Sequence, residues 1–248
     1  GYNVFYKAKA LDPIPPQLIL PEVTDTSKWW RGKLHYVDPE NQYLLNINGE
    51  NRMVVAYNTK LVNPAEIKSY WDLLNPKWKD KMLMDSTDYD WFGTLVTVWG
   101  KEKTVQYMKR LAAQNPLWRR GHGLTAQLLG AGEVPLAWAY NFRAERMKSE
   151  GAPVDWVETF DPIVATVSGI GLSAKAANPN SAKLLIDFAT SKKGQQMVRG
   201  MRRIPARSDI EPLAPKMDQT KLKLKAVPKD VYLHFDDYAR EFRQIFGL

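Results

Sequence analysis

The chain has 248 residues, 44% hydrophobic and 25% charged, enough to bury one large core or two modest ones. Lys and Arg outnumber Asp and Glu by 35 to 27, a net charge of +8, and no cysteine is present. A disulfide scaffold, a thiol nucleophile and a cysteine-held zinc are therefore excluded, and no apolar run is long enough to span a bilayer as a helix. The positive charge favours anionic partners such as nucleic acid, acidic lipid or a small anion. Its densest points, Arg119-Arg120, Lys192-Lys193, Arg202-Arg203 and the alternation of Lys221, Lys223 and Lys225, are scattered and read as solvated surface.

From Leu11 to Val23 there are four prolines, which predict an extended, wrapped segment. Between Thr24 and Tyr57, aromatic and β-branched residues alternate with polar ones between turn signals, predicting strands, with Val54 to Tyr57 a buried one. Asn63-Pro64 reads as a capped helix start and Lys81 to Met84 as a short strand. The loop Asp85 to Asp88 feeds a helix through Phe92 to Trp99, and the spacing predicts another over 101–114. A short helix from Leu124 to Leu129 ends at Gly130; a strand from Val134 to Tyr140 and a helix from Phe142 to Ser149 follow. Pro162 to Leu172 reads as a strand, and an amphipathic helix begins after Asn178. Residues 208–229 read as irregular, and Asp230 to Phe246 as the last helix. Strands alternating with helices at this spacing predict an α/β fold with a largely parallel sheet.

Enzymatic chemistry finds no anchor in this pattern. His35, His122 and His234 lie far apart without a metal-binding spacing, and no nucleophile elbow, phosphate loop or dinucleotide fingerprint is present.

Several stretches in order resemble one family. They are Leu20 to Val23; Ser27 to Trp30; Ala56 to Val62 continuing through Ser69 to Lys79; Leu128 to Ala137; and Asn178 to Leu184 with Asp187-Phe188 and Ser191 to Gln195. Together they resemble the extracellular solute-binding proteins of bacterial ABC importers, in the iron-binding-protein-like branch. The resemblance implies a two-lobed periplasmic binding protein type II fold, with lobe 1 incomplete at its N-terminus. It places lobe 1 at 1–57 and 166–248 with the C-terminal helices, and lobe 2 at 58–165. It implies a periplasmic, monomeric, non-enzymatic carrier with its signal peptide removed, requiring no cofactor. Such a carrier takes a small-molecule ligand in a cleft between lobes by hinge closure, delivers it to a membrane permease and binds no nucleic acid.

Ferric members of the family carry two adjacent tyrosines where this chain has Phe142 and Arg143, which puts an iron site in doubt. An arginine suits a carboxylate, phosphate ester or phosphonate, because its planar fork donates two parallel hydrogen bonds. The ligand-binding residues expected on this basis are Asp85, Ser86 and Thr87 at a helix start, Tyr140, Asn141 and Arg143 after a strand, and Tyr57. Trp91 is expected as a wall, and Arg120 and His122 as a basic loop. Ordinary readings stand beside these: N-capping for Ser86 and Thr87, packing for the aromatic residues, and an ion pair with Glu145 or Glu150 for Arg143. A ferric or other metal carrier, and an enzyme on the same fold, remain alternatives.

Overall fold

The computed structural model describes residues 2–217 and 222–248, so Lys221 lies outside the described residues. In chain order the strands are β1 (Leu11–Asp12), β2 (Leu45–Asn46), β3 (Asn51–Asn58), β4 (Met82–Asp85), β5 (Leu117–Arg119) and β6 (Leu136–Tyr140). There follow β7 (Val154–Trp156), β8 (Ile163–Thr166), β9 (Gly169–Ile170), β10 (Leu172–Ser173) and β11 (Leu224–Ala226). The α-helices are α1 (Pro21–Thr24), α2 (Tyr89–Trp99), α3 (Lys101–Ala112), α4 (His122–Ala131) and α5 (Asn141–Ser149). After them come α6 (Pro179–Thr190), α7 (Lys192–Gly200), α8 (Lys229–Leu233) and α9 (Phe235–Phe246). The chain divides into two units, Gly1–Asn51 with Val167–Asp218, and Arg52–Thr166 with Gln219–Leu248.

In the first unit, β1 pairs with β10 and β2 with β9, both antiparallel. The strands expected from Thr24 onward shrink to β2 and β3, because side chains capture the backbone donors. Asp38 accepts the amides of Gln42, Tyr43 and Leu44 at 2.9, 3.0 and 2.7 Å. The Trp29 indole donates to the Val23 carbonyl at 2.8 Å. Ile14, Val23, Trp29, Leu45, Leu172 and Ile186 form the core. The strand expected from Pro162 to Leu172 is broken in three: β8 belongs to the second unit, whereas β9 and β10 pair separately in the first. Gly171 permits this, since a Cβ there would press on Leu11 and Leu44 at 3.1 Å.

The second unit is built on a sheet ordered β11-β8-β3-β6-β4-β5, with β7 also on β3. It is mixed rather than largely parallel. β4, β5 and β6 are linked through helices and run parallel, whereas β3 arrives without one and runs antiparallel to β6 and β7. Helices α2 and α3 arise where the periodicity predicts them. The helix expected after Asn63 is a single turn, Pro64–Glu66, capped by Asn63 as anticipated. Two further single turns follow, started by the Ser69–Asp72 capping box and by Asn75.

The C-terminal segment departs from the expected division. β11 lies parallel to β8, and α9 packs its Phe242 against Tyr89, Phe92 and Trp118 of the second unit. Residues 222–248 therefore complete the second unit, not lobe 1. The last helix is also split at His234 into α8 and α9.

Candidate functional site

β4, β5 and β6 end together. Asp85 is in register with Arg119, and Leu83 with Ala137, so the carboxyl ends of the three strands share one edge of the sheet. Each strand hands over to a helix at that edge: α2 after Asp88, α4 after Gly121 and α5 directly after Tyr140. Three helix N-termini with their outward amides are thus gathered at the end of the sheet where α/β proteins bind ligands.

Asp85 braces this edge rather than presenting a free carboxylate. Its oxygens accept the Thr87 amide at 2.9 Å, the Thr87 hydroxyl at 2.7 Å and the Gly121 amide at 2.6 Å. The Thr87 hydroxyl is thereby committed to Asp85. Ser86 donates its amide to the Arg119 carbonyl, joining the β4–α2 loop to β5.

His122, the first residue of α4, sets its Nε2 3.0 Å from Asp88 Oδ1 and 3.9 Å from Asp85 Oδ2. Burial pulls the imidazole toward neutrality, but the charge and hydrogen bond of Asp88, then Asp85, outweigh it and push its pKa up to about 9. Burial pushes the Asp88 carboxyl up, and burial with the Asp88 charge pushes Asp90 up to about 6. The Tyr140 ring lies 4.3 Å from that of His122, and burial followed by the nearby Asp90 and Asp88 raises its phenol.

Arg143 lies in the first turn of α5, half-buried. A Cβ at Gly123 would meet its guanidinium carbon at 3.9 Å, so the fork lies beside the first turn of α4. The acids on its own helix are engaged elsewhere: Glu150 pairs with Arg146 at 2.9 Å and Glu145 accepts the Trp156 indole at 2.6 Å. Among the described residues Arg143 makes no ion pair; its one close charge contact is the Phe142 ring, 5.1 Å away.

The structure brings Asp85, Ser86, Thr87, Tyr140, Asn141, Arg143 and His122 to this edge, with exposed Arg120 just after β5. Asn141 is buried and its side-chain oxygen accepts the Arg52 amide at 3.1 Å, which fixes the start of α5 to β3. Two expectations fail on placement. Trp91 is fully buried, its indole donating to the Tyr70 hydroxyl at 3.2 Å, so it belongs to the core and walls no opening. Tyr57 pairs with Leu136, whereas Met53 pairs with Tyr140, which puts Tyr57 at the opposite end of the sheet. Sequence reading missed Asp88 and Gly123. The helix was expected to begin at Leu124, which left Gly123 outside it, and the three acids of 85–90 do not announce which one turns toward a histidine. Among the described residues no group of three His, Cys, Asp or Glu is arranged to hold a metal ion.

Residues 5–232 match the family described as bacterial extracellular solute-binding protein. The chain is 27% identical over 159 residues to iron uptake protein A1 of Synechocystis, covering 57% of this chain and 44% of that protein. It is 23% identical over 206 residues to the major ferric iron-binding protein of Neisseria meningitidis, covering 79% and 59%. The chain thus spans about half the length of these relatives. Iron-bound HitA from Pseudomonas aeruginosa superposes with a TM-score of 0.76 at 20% identity, over 99% of this chain and 79% of that one. The binding protein AfuA from Actinobacillus pleuropneumoniae, with fructose-6-phosphate bound, gives 0.77 at 22%, with the same coverage. The fold is that of the two-lobed periplasmic binding proteins, and the chain belongs to the bacterial extracellular solute-binding protein family.

Proposed function

We propose that the chain is the substrate-binding component of a bacterial ABC importer, capturing a small organic anion in the periplasm for a membrane permease. The anion, a phosphonate, phosphate ester or carboxylate, sits at the carboxyl edge of β4, β5 and β6. One observation carries this reading: Arg143 is half-buried, has no acid partner among the described residues, and lies beside the first turn of α4. A guanidinium in that position offers a bidentate fork next to helix amides, the combination that suits an oxyanion. The relatives named for iron favour a second reading, a ferric carrier. Phe142 and Arg143 in place of paired phenols weigh against it, since hard Fe(III) prefers phenolate oxygens. A carrier rather than an enzyme is supported by the commitment of Asp85 to Thr87 and Gly121 and of His122 to Asp88, which leaves neither of these two groups a free base at this edge.

A thermal-shift screen against phosphonates, phosphate esters, dicarboxylates, thiamine and ferric citrate tests the reading. A ligand at about 100 times its Kd adds about 2.7 kcal/mol, a shift of roughly 5–10 °C for a chain of this size. An organic anion giving that shift in the wild type but not in Arg143→Ala supports the carrier of anions. A shift from ferric citrate alone overturns it in favour of iron.

A further inference from the structure

The three loops at the carboxyl edge converge on one side chain. His122 touches the β4–α2 loop through Asp88 and Asp85, at 3.0 and 3.9 Å. It touches the end of β6 through the Tyr140 ring at 4.3 Å and lies close to the Trp138 carbonyl, although its buried Nδ1 has no hydrogen-bond partner among the described residues. That carbonyl accepts the Thr125 hydroxyl of α4 at 2.9 Å. The side chains of His122, Asp85 and Asp88 retain only 11%, 3% and 2% exposure.

A cation at the first residue of a helix opposes the helix dipole, so this imidazole does nothing for α4 as a helix. It is stabilised instead by two buried carboxylates that would otherwise face each other without a countercharge. The next residue, Gly123, is the one beside the Arg143 guanidinium. Whatever holds His122 therefore holds the α4 turn against which the fork of α5 rests.

We infer that His122, clamped by Asp88, is the positioning residue of the Arg143 anion site. It locks the first turns of α2, α4 and α5 so that the guanidinium and the α4 amides face one point. This rests on the anion reading above for its purpose but not for its geometry. The charged and titratable groups facing His122 are Asp88 and Asp85 from the β4–α2 side and Tyr140 from β6; Asp90 on α2 feels its charge, and Arg143 on α5 lies beside the next residue, Gly123.

The test is a carbon-detected NMR titration of the wild-type chain from about pH 7.5 to about pH 10.5, following the His122 ring, Gly123 Cα and Arg143 Cζ. Titrating inorganic phosphate into the same samples adds a binding arm. Phosphate is almost wholly the dianion across the transition near 9, so a change in its affinity there belongs to the protein. The expected result is one shared transition near 9 in all three signals, with phosphate affinity falling about tenfold across it, a coupling of ordinary size. Asp88→Asn should move the His122 transition down and carry the Gly123 and Arg143 signals with it. His122 titrating without any response at Gly123 and Arg143, or near its unperturbed value, overturns the positioning role. A shared transition with no phosphate binding at any pH upholds that role and counts against the anion reading alone.

Discussion

Gln195, in one of the stretches that carry the family resemblance, braces the backbone of the first unit. It is fully buried, donates to the Ile47 and Ala189 carbonyls at 2.8 Å each, and accepts the Ala206 amide at 2.7 Å. Just before it, Ser191 caps α7, and a Cβ on Gly194 would collide with the Phe188 carbonyl. Asn58 acts alike in the other unit, donating to the Leu129 carbonyl and accepting the Lys60 amide, both at 3.0 Å. Gln195→Leu strands one buried and two part-buried backbone groups, and a loss of about 2–4 kcal/mol in urea unfolding is expected; a change below about 0.5 kcal/mol would mean the backbone finds other partners.

The His122–Asp88 pair makes stability depend on pH with a defined sign. The folded pKa of His122, about 9, lies above the unfolded value, so its contribution is complete below about pH 6.5 and is lost as pH rises through about 9. Comparing urea midpoints at about pH 6 and about pH 10, the wild type should lose of the order of 1–3 kcal/mol more than His122→Gln. Equal losses would show that the imidazole is not charged in the fold. Asp90 also makes stability fall as pH rises, but over a lower range and by burying a charge rather than pairing one. Its raised folded pKa penalises the folded state as pH climbs from about 4 to about 6, so Asp90→Asn should be more stable than wild type at neutral pH, with the gain vanishing in acid.

Among the elements, those legible in the sequence are the ones whose pattern is local. α2, α3 and α6 follow apolar periodicity, and β4 and β6 are short apolar runs between breakers. What the sequence hid is long-range. Nothing local announces that β3 runs antiparallel to β6, or that β8 and β9 pair with strands of different units. The fate of the C-terminus is hidden for the same reason, since the amphipathic face of α9 says that it packs but not where. Gly93 records the answer: a Cβ there would press on Val231 at 2.8 Å and on Tyr238 at 3.0 Å. Phe242→Ala should cost about 3–5 kcal/mol, and near-ultraviolet circular dichroism should report loss of the aromatic environment of the second unit. An unchanged spectrum would remove α9 from that core. The candidate site was legible to the extent that it follows the strand-to-helix handover at Asp85, Tyr140 and Arg143. The roles of Asp88 and Gly123 depend on register across β4, β5 and β6 and had no sequence signal.

Over the whole molecule the two units are unequally built. The second holds the large sheet and an extensive aromatic core, whereas the first rests on two-stranded ladders. The first unit also leaves Leu184 and Leu185 of α6 at 66% and 59% exposure. Amide exchange should accordingly be slower in β3 and β6 than in α6 and α7, because local opening is easiest where little apolar surface is buried; the reverse order would contradict this division of stability. The net charge of +8 adds a general attraction for anions but selects none. Selection is assigned to one side chain, which makes the central claim easy to isolate. Its most direct test is calorimetric titration of the most strongly stabilising phosphate ester or phosphonate into wild type, Arg143→Lys and Arg143→Ala. Lysine keeps the charge and loses the fork, so affinity should fall by about 10- to 100-fold in Arg143→Lys and beyond detection in Arg143→Ala. Equal affinity in all three proteins would place the anion elsewhere and contradict the account.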